Sequence, residues 1–185
     1  DGLWRVAPRI EGFAVRGLGT ESLLDLQRPA ACRDGSEAGV TTVTGWLPRA
    51  VVAAEDQRFF DHPGYDLTAL SDAWLHNQHR DRAPDGLIGA STLTQQLAKL
   101  VVAGDDRSAA RKLRELLYAV EMERTLGKAR ILQLYLALAP WGDGVCGAER
   151  AAQVYLGKSA SKVGPVSAAW LVSLLRNPDA QLRHH

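Results

Sequence analysis

The stretch AVVAAEDQRFFDHPG, residues 50–64, sets the reading of the whole chain. Val51, Val52 and Phe59 fall on one face at helical spacing, and Glu55 falls on that same face. Residues three and four apart are neighbours on a helix, so a carboxylate stands where a core side chain is due. An ionised carboxylate buried without a partner costs several kcal/mol. The side chain is therefore either neutralised by a neighbour or retained for acid–base work.

The chain around this stretch is 185 residues long, enough for one domain with a sizeable core. Hydrophobic residues make up 46% and charged residues 23%, the balance of an ordinary globular protein. A net charge of +1 leaves no global field for nucleic acid, so any anion must be met by a local cluster. No apolar run reaches the roughly 18 residues needed to span a bilayer. The sequence begins at Asp1 without methionine, consistent with a removed signal or anchor segment, and His184 and His185 resemble a tag remnant. Cys32 and Cys146 leave two readings open, one disulfide or two thiols. Neither has a second cysteine at metal-ligand spacing.

From Trp46 onward the periodicity is helical. Pro48 suits the first turn of the helix that carries Glu55. Asp66 is placed to cap a helix with Leu67, Leu70 and Trp74 on its stripe. A turn-rich loop, RDRAPDGLIG, precedes STLTQQLAKLVV, whose inward residues are Leu93, Leu97, Leu100 and Val101. Asp106 or Ser108 caps a longer helix, with Leu113, Leu116, Leu117 and Val120 expected inward and an end near Gly127. Further helices are expected at about 128–138, 147–156 and 165–176. Residues 1–45 are glycine-rich, with VTTVT at 40–44 the one plausible strand. The expected organisation is an N-terminal extension, a mainly α domain over 46–178 and a short tail over 179–185.

Three polar clusters lie on these helices. Glu55 and Asp56 are followed by Asp61, His62 and Asp66, which read as turn caps before they read as a metal shell. Ser91, Gln95, Gln96 and Lys99 share one side of the next helix, opposite its leucines. Arg107, Arg111 and Glu115 are spaced by four, with Lys112 and Arg114 beside them. Stacked cations of this kind can neutralise a diphosphate, although the same spacing also suits a solvated face of weak ion pairs. His76 and His79 stand one turn apart and read as surface.

In order and spacing, EDQRFFDHPG, GASTLTQQLAK, RKLRE and KARILQLYL resemble the four motifs of the peptidoglycan glycosyltransferases, glycosyltransferase family fifty-one. The likeness is greatest to their monofunctional biosynthetic branch. GAERAAQVYLGKSAS and the closing LRNP resemble the end of the same domain. The resemblance implies a lysozyme-like helical fold, lipid II and a growing glycan chain as substrates, and a site at the outer face of the bacterial cytoplasmic membrane. It implies that Glu55 is the general base and Glu115 the second essential glutamate. It places Lys99, Arg107 and Arg111 near the donor diphosphate, and Ser91, Gln95 and Gln96 along the substrate; Lys112, beside these cations, joins the substrate-binding set. No cofactor is required on this reading, and a magnesium or manganese ion at the diphosphate is an option. Other cell-wall synthesis proteins are candidate partners.

Three positions depart from the family's pattern: Leu100 and Ala137 stand where it has asparagine, and Pro140 where it has glutamate. A catalytically weak relative acting as a scaffold, and a lysozyme-like glycan hydrolase, are the competing readings. The cationic helix favours a diphosphate substrate over the bare glycan that a hydrolase takes. A lipid-linked substrate also calls for an apolar surface beside the cleft. Trp74, Leu75, Leu87 and Ile88 are the candidates for it, with core packing the plainer reading of Trp74.

Overall fold

Helix α1, Trp46–Glu55, buries Leu47, Pro48 and Val51 and ends where Asp56 leaves helical geometry. A computed structural model describes residues 44–78, 90–103, 109–142 and 144–176. The order continues with α2 (Leu67–Gln78), α3 (Leu93–Ala98), a π-helical turn (Lys99–Ala103) and α4 (Ala109–Leu138). It closes with α5 (Ala148–Leu156), a short 3₁₀ turn (Ala160–Lys162) and α6 (Pro165–Arg176). Among the described residues the one β feature is an isolated bridge between Pro140 and Cys146. The domain is mainly α, as the periodicity predicts. Residues 40–43 of the expected strand lie outside the described residues.

The core gathers Leu47, Val51, Phe59, Leu93, Leu97, Ile131, Leu136, Trp141, Leu171 and Leu174, all fully buried or nearly so. Helix α3 packs chiefly on α4, and α1 on α6. Gly127 breaks α4 into two helical halves, with φ 71° and ψ 164°. Glycine reaches that conformation without a Cβ penalty, so the expected helix end near residue 127 is a sharp bend in practice. Lys128 secures the bend: its Nζ donates to the His62 carbonyl at 2.6 Å and to Glu123 Oε1 at 2.7 Å. The same ammonium sits 4.6 Å from the centre of the Phe59 ring.

Two expectations about facing fail. Leu113, Leu117 and Val120 are exposed, and the first half of α4 buries Glu115, Ala119 and Met122 instead. The stripe of Leu67, Leu70 and Trp74 on α2 is likewise exposed. Periodicity finds an apolar face but not what lies opposite it, and these faces flank a cleft rather than the core.

Cys146 is disulfide-bonded, and the sequence holds one other cysteine, Cys32, outside the described residues. Around Cys146 the chain makes a tight loop. Gly147 N–H donates to the Ala139 carbonyl at 3.0 Å and Trp141 N–H to the Val145 carbonyl at 2.7 Å. The Tyr155 hydroxyl reaches the carbonyls of Trp141 and Gly142, each at 3.2 Å. These bonds hold the segment in which Ala137 and Pro140 replace the family's polar residues, and Leu100 packs against the core.

Candidate active site

The segment from Asp56 to Gly64 is built by one buried histidine. His62 Nδ1 accepts the Gly64 N–H at 3.1 Å, which leaves Nε2–H as the ring's donor. That Nε2 lies 3.0 and 2.9 Å from the two oxygens of Asp56. Asp56 Oδ2 also accepts the Leu93 N–H at 2.9 Å, so the end of α1 is tied to the start of α3. Gly64 has φ 96°, and a Cβ there would lie 2.9 Å from the Ala119 backbone, so α4 passes too close for any other residue. Asp56 and His62 are structural ties that fix where Glu55 stands.

Helix α3 starts with a capping box: Thr92 Oγ1 accepts the Gln95 N–H, and Gln95 Oε1 accepts the Thr92 N–H, both at 3.1 Å. Gln95 is buried, with its amide oxygen engaged in the helix start. Gln96, next along, turns to Glu55: its Nε2 donates to Glu55 Oε2 at 3.1 Å. Gln96 Oε1 accepts from the Tyr135 hydroxyl at 2.9 Å. Burial, and secondarily the Glu55 charge, raise the Tyr135 hydroxyl well above the usual phenol range, so it remains a donor. Tyr135 lies within KARILQLYL but is not singled out by sequence reasoning. The period puts it on the core face, and its hydroxyl contact has no local sequence signal.

Glu115 has different company. It is 2% exposed, and its Oε1 is ion-paired with Arg111 Nη1 while Oε2 takes Lys112 Nζ at 2.9 Å. Lys112 Nζ also donates to Ser91 Oγ at 2.7 Å. Lys99 is exposed at the head of the π-helical turn, a feature frequent at functional sites. Arg107 lies outside the described residues, as do Leu87 and Ile88. Asp66 caps α2 through the Ala69 N–H at 3.0 Å and is gripped by both arms of Arg58. Burial works to raise Asp66, but the Ala69 N–H, the Arg58 guanidinium and the Thr68 N–H together hold it below the ordinary carboxylate range.

Glu55 lines one of two adjoining hollows, and Lys112, the ion-pair partner of the buried Glu115, lines the other. One, of about 300 Å³, is lined by Glu55, Asp56, Arg58, Asp72 and Ser91. The other, of about 380 Å³, is lined by Tyr65, Leu67, Leu70, Gln95, Lys112 and Leu116. They share Asp66, Ala90 and Ser91 as a common wall. The second is the more apolar, and Leu67, Leu70, Trp74, Leu75, Leu113 and Leu117 are exposed on the helices around it. The cleft is polar at Glu55, cationic at Lys112 and flanked by apolar surface. Among the described residues no three His, Cys, Asp or Glu side chains gather as a metal site.

A sequence model of the family described as "Transglycosylase" matches residues 31–184. The chain belongs to the transglycosylase family. The biosynthetic peptidoglycan transglycosylase of Nitrosomonas eutropha is 40% identical over 152 residues, 82% of this chain and 61% of that protein. That of Bordetella pertussis is 43% identical over 143 residues, 77% of this chain and 59% of its own. That of Aeromonas hydrophila is 46% identical over 132 residues, 71% and 54% respectively. This chain thus covers between 54% and 61% of these three transglycosylases' lengths. Family membership accords with the four-motif resemblance and with the helical architecture.

Proposed function

We propose that this transglycosylase-family domain polymerises lipid II into β-1,4 glycan at the outer face of the bacterial cytoplasmic membrane. The observation that carries the reading is the contrast between two carboxylates, one lining the cleft and one buried behind its cationic wall. Glu55 is open to a ligand's hydroxyl, whereas Glu115 is 2% exposed under two cations. A carboxylate within reach of the substrate can take its proton, and one locked to cations is suited to aim them.

In the proposed step Glu55 takes the proton of the acceptor's 4-hydroxyl. The freed oxygen forms a bond to the donor's anomeric carbon as the bond from that carbon to the diphosphate oxygen breaks. The electron pair leaves with undecaprenyl diphosphate, and the anomeric centre inverts. Arg111, Lys112 and Lys99 meet the charge that gathers on the diphosphate, where fixed cations lower the barrier most. Glu115 holds the first two in place, and Ser91 holds the Lys112 ammonium from the opposite wall. The step as written needs no cofactor, and a magnesium or manganese ion carried by the diphosphate would add to the same cations.

The exposed apolar residues of α2 and α4 suit a lipid tail and the membrane surface beside it. No helix among the described residues is long and apolar enough to cross a membrane. Incubation of the purified chain with lipid II, with products resolved on a gel, tests the proposal. A ladder of glycan polymers supports it, and binding of lipid II without polymer would favour a scaffold role.

A further inference from the structure

Gln96 is half-buried between two groups from distant parts of the chain, Glu55 at the end of α1 and Tyr135 in the second half of α4. A side-chain amide has nearly the same shape at either end, so packing alone does not choose which end faces the carboxylate. Turned one way, it gives Glu55 a donor; turned the other, it sets an oxygen against the carboxylate oxygens. The Glu55 oxygen, an acceptor, takes the N–H end, and the buried Tyr135 hydroxyl donates to the oxygen end and anchors it.

We propose that Tyr135 is a positioning residue for proton transfer: by anchoring the Gln96 amide oxygen it holds the amide N–H on Glu55 and fixes where the carboxylate stands. This rests on the reading of Glu55 as the base. A carboxylate held by an oriented amide keeps the position from which it takes the proton, and a small misplacement of a reacting group is costly to the rate. The Tyr135 hydroxyl bonds Gln96, and its link to the base runs through that amide. Its buried position leaves little water to replace the lost hydroxyl, and burial keeps the phenol protonated and able to donate.

The test uses the full chain, with Tyr135→Phe and Gln96→Met alone and combined. In Tyr135→Phe kcat for lipid II polymerisation should fall by about threefold to tenfold. KM for lipid II should stay within about twofold of the parent, because the link acts on the base and not on binding. Gln96→Met should lower kcat in the same way, and adding Tyr135→Phe should lower it no further, the signature of two residues in one chain of contacts. A second readout needs no turnover: the Gln96 side-chain amide signal, identified by its loss in Gln96→Met, should exchange its protons faster in Tyr135→Phe.

A parent that makes no polymer rejects the base reading, and amide exchange then judges the Tyr135 link alone. A kcat unchanged in both single variants, fully additive losses, or unchanged amide exchange overturns the link while leaving the base reading intact. Were Tyr135→Phe to misfold, Gln96→Met at its half-buried site decides the matter, and an unchanged kcat there is fatal to the proposal.

Discussion

Lys112 Nζ donates to Ser91 Oγ across 2.7 Å, joining two walls of the cleft that are 21 residues apart in sequence. The same ammonium reaches Glu115 Oε2 at 2.9 Å. A half-exposed lysine is thus pinned from both sides, with its third N–H left for a ligand. Lys112→Ala and Arg111→Ala should each weaken a diphosphate-bearing inhibitor by roughly 2 kcal/mol, the scale of a charged hydrogen bond. Arg114→Ala, on the exposed side of the helix, should do much less. Calorimetric titration of the three variants checks this, and equal losses at Arg114 and Arg111 would contradict it.

Glu115 is expected to act through those cations. Glu115→Gln keeps the shape but removes the charge that both cations face. Because Arg111 and Lys112 can turn toward solvent, the stability loss should be about 1–3 kcal/mol, below the range for a fully enclosed pair. Diphosphate affinity should fall by a similar factor to that of Lys112→Ala. Denaturant melts and the same titration measure both, and an affinity equal to the parent's would remove Glu115 from the positioning of the cations.

The apolar faces of α2 and α4 give a prediction about lipid. Leu70→Ser with Leu113→Ser changes two side chains that are 56% and 58% exposed. Stability should stay within about 1 kcal/mol, as for surface changes. Sedimentation with liposomes should show weaker binding, and turnover of full-length lipid II should slow more than that of a short-chain analogue. A large stability loss with unchanged liposome binding would contradict the lipid-facing assignment.

Much of this was legible beforehand, and the failures have a common cause. The helices, the Asp66 cap and the break at Gly127 follow from local signals that act within a turn or two of chain. The facing of Leu113, Leu117 and Val120 does not, because an apolar stripe looks the same whether it meets a core or faces outward. Thr92 and Gln95 carried a readable signal, the spacing of a capping box, which assigns the Gln95 amide oxygen to the helix start. Tyr135 carried none, since its contact with Gln96 spans 39 residues and depends on the bend of α4.

Asp66 offers a test by pH. Its carboxyl is held below the ordinary range in the folded chain, so it contributes stability above the unfolded value near 4 and loses it as pH falls through the folded value. Asp66→Asn keeps a capping side chain but loses the charge that Arg58 grips, and should cost about 1 kcal/mol or less at neutral pH, the scale of a partly exposed ion pair. The gap between parent and variant should narrow below pH ~4, where the unfolded chain's aspartate begins to bind its proton. Urea melts across that range check the sign, and a gap that widens on acidification would contradict it.

Glu55→Gln is the most direct test of the account. The variant should melt within about 1 kcal/mol of the parent, since the residue is only half-buried. It should bind lipid II as the parent does, while polymer formation at saturating substrate falls by about 100- to 10,000-fold, the range for a lost general base. Lipid II turnover measured on parent and variant side by side gives the answer. A variant that keeps more than about a tenth of the parent's rate contradicts Glu55 as the base.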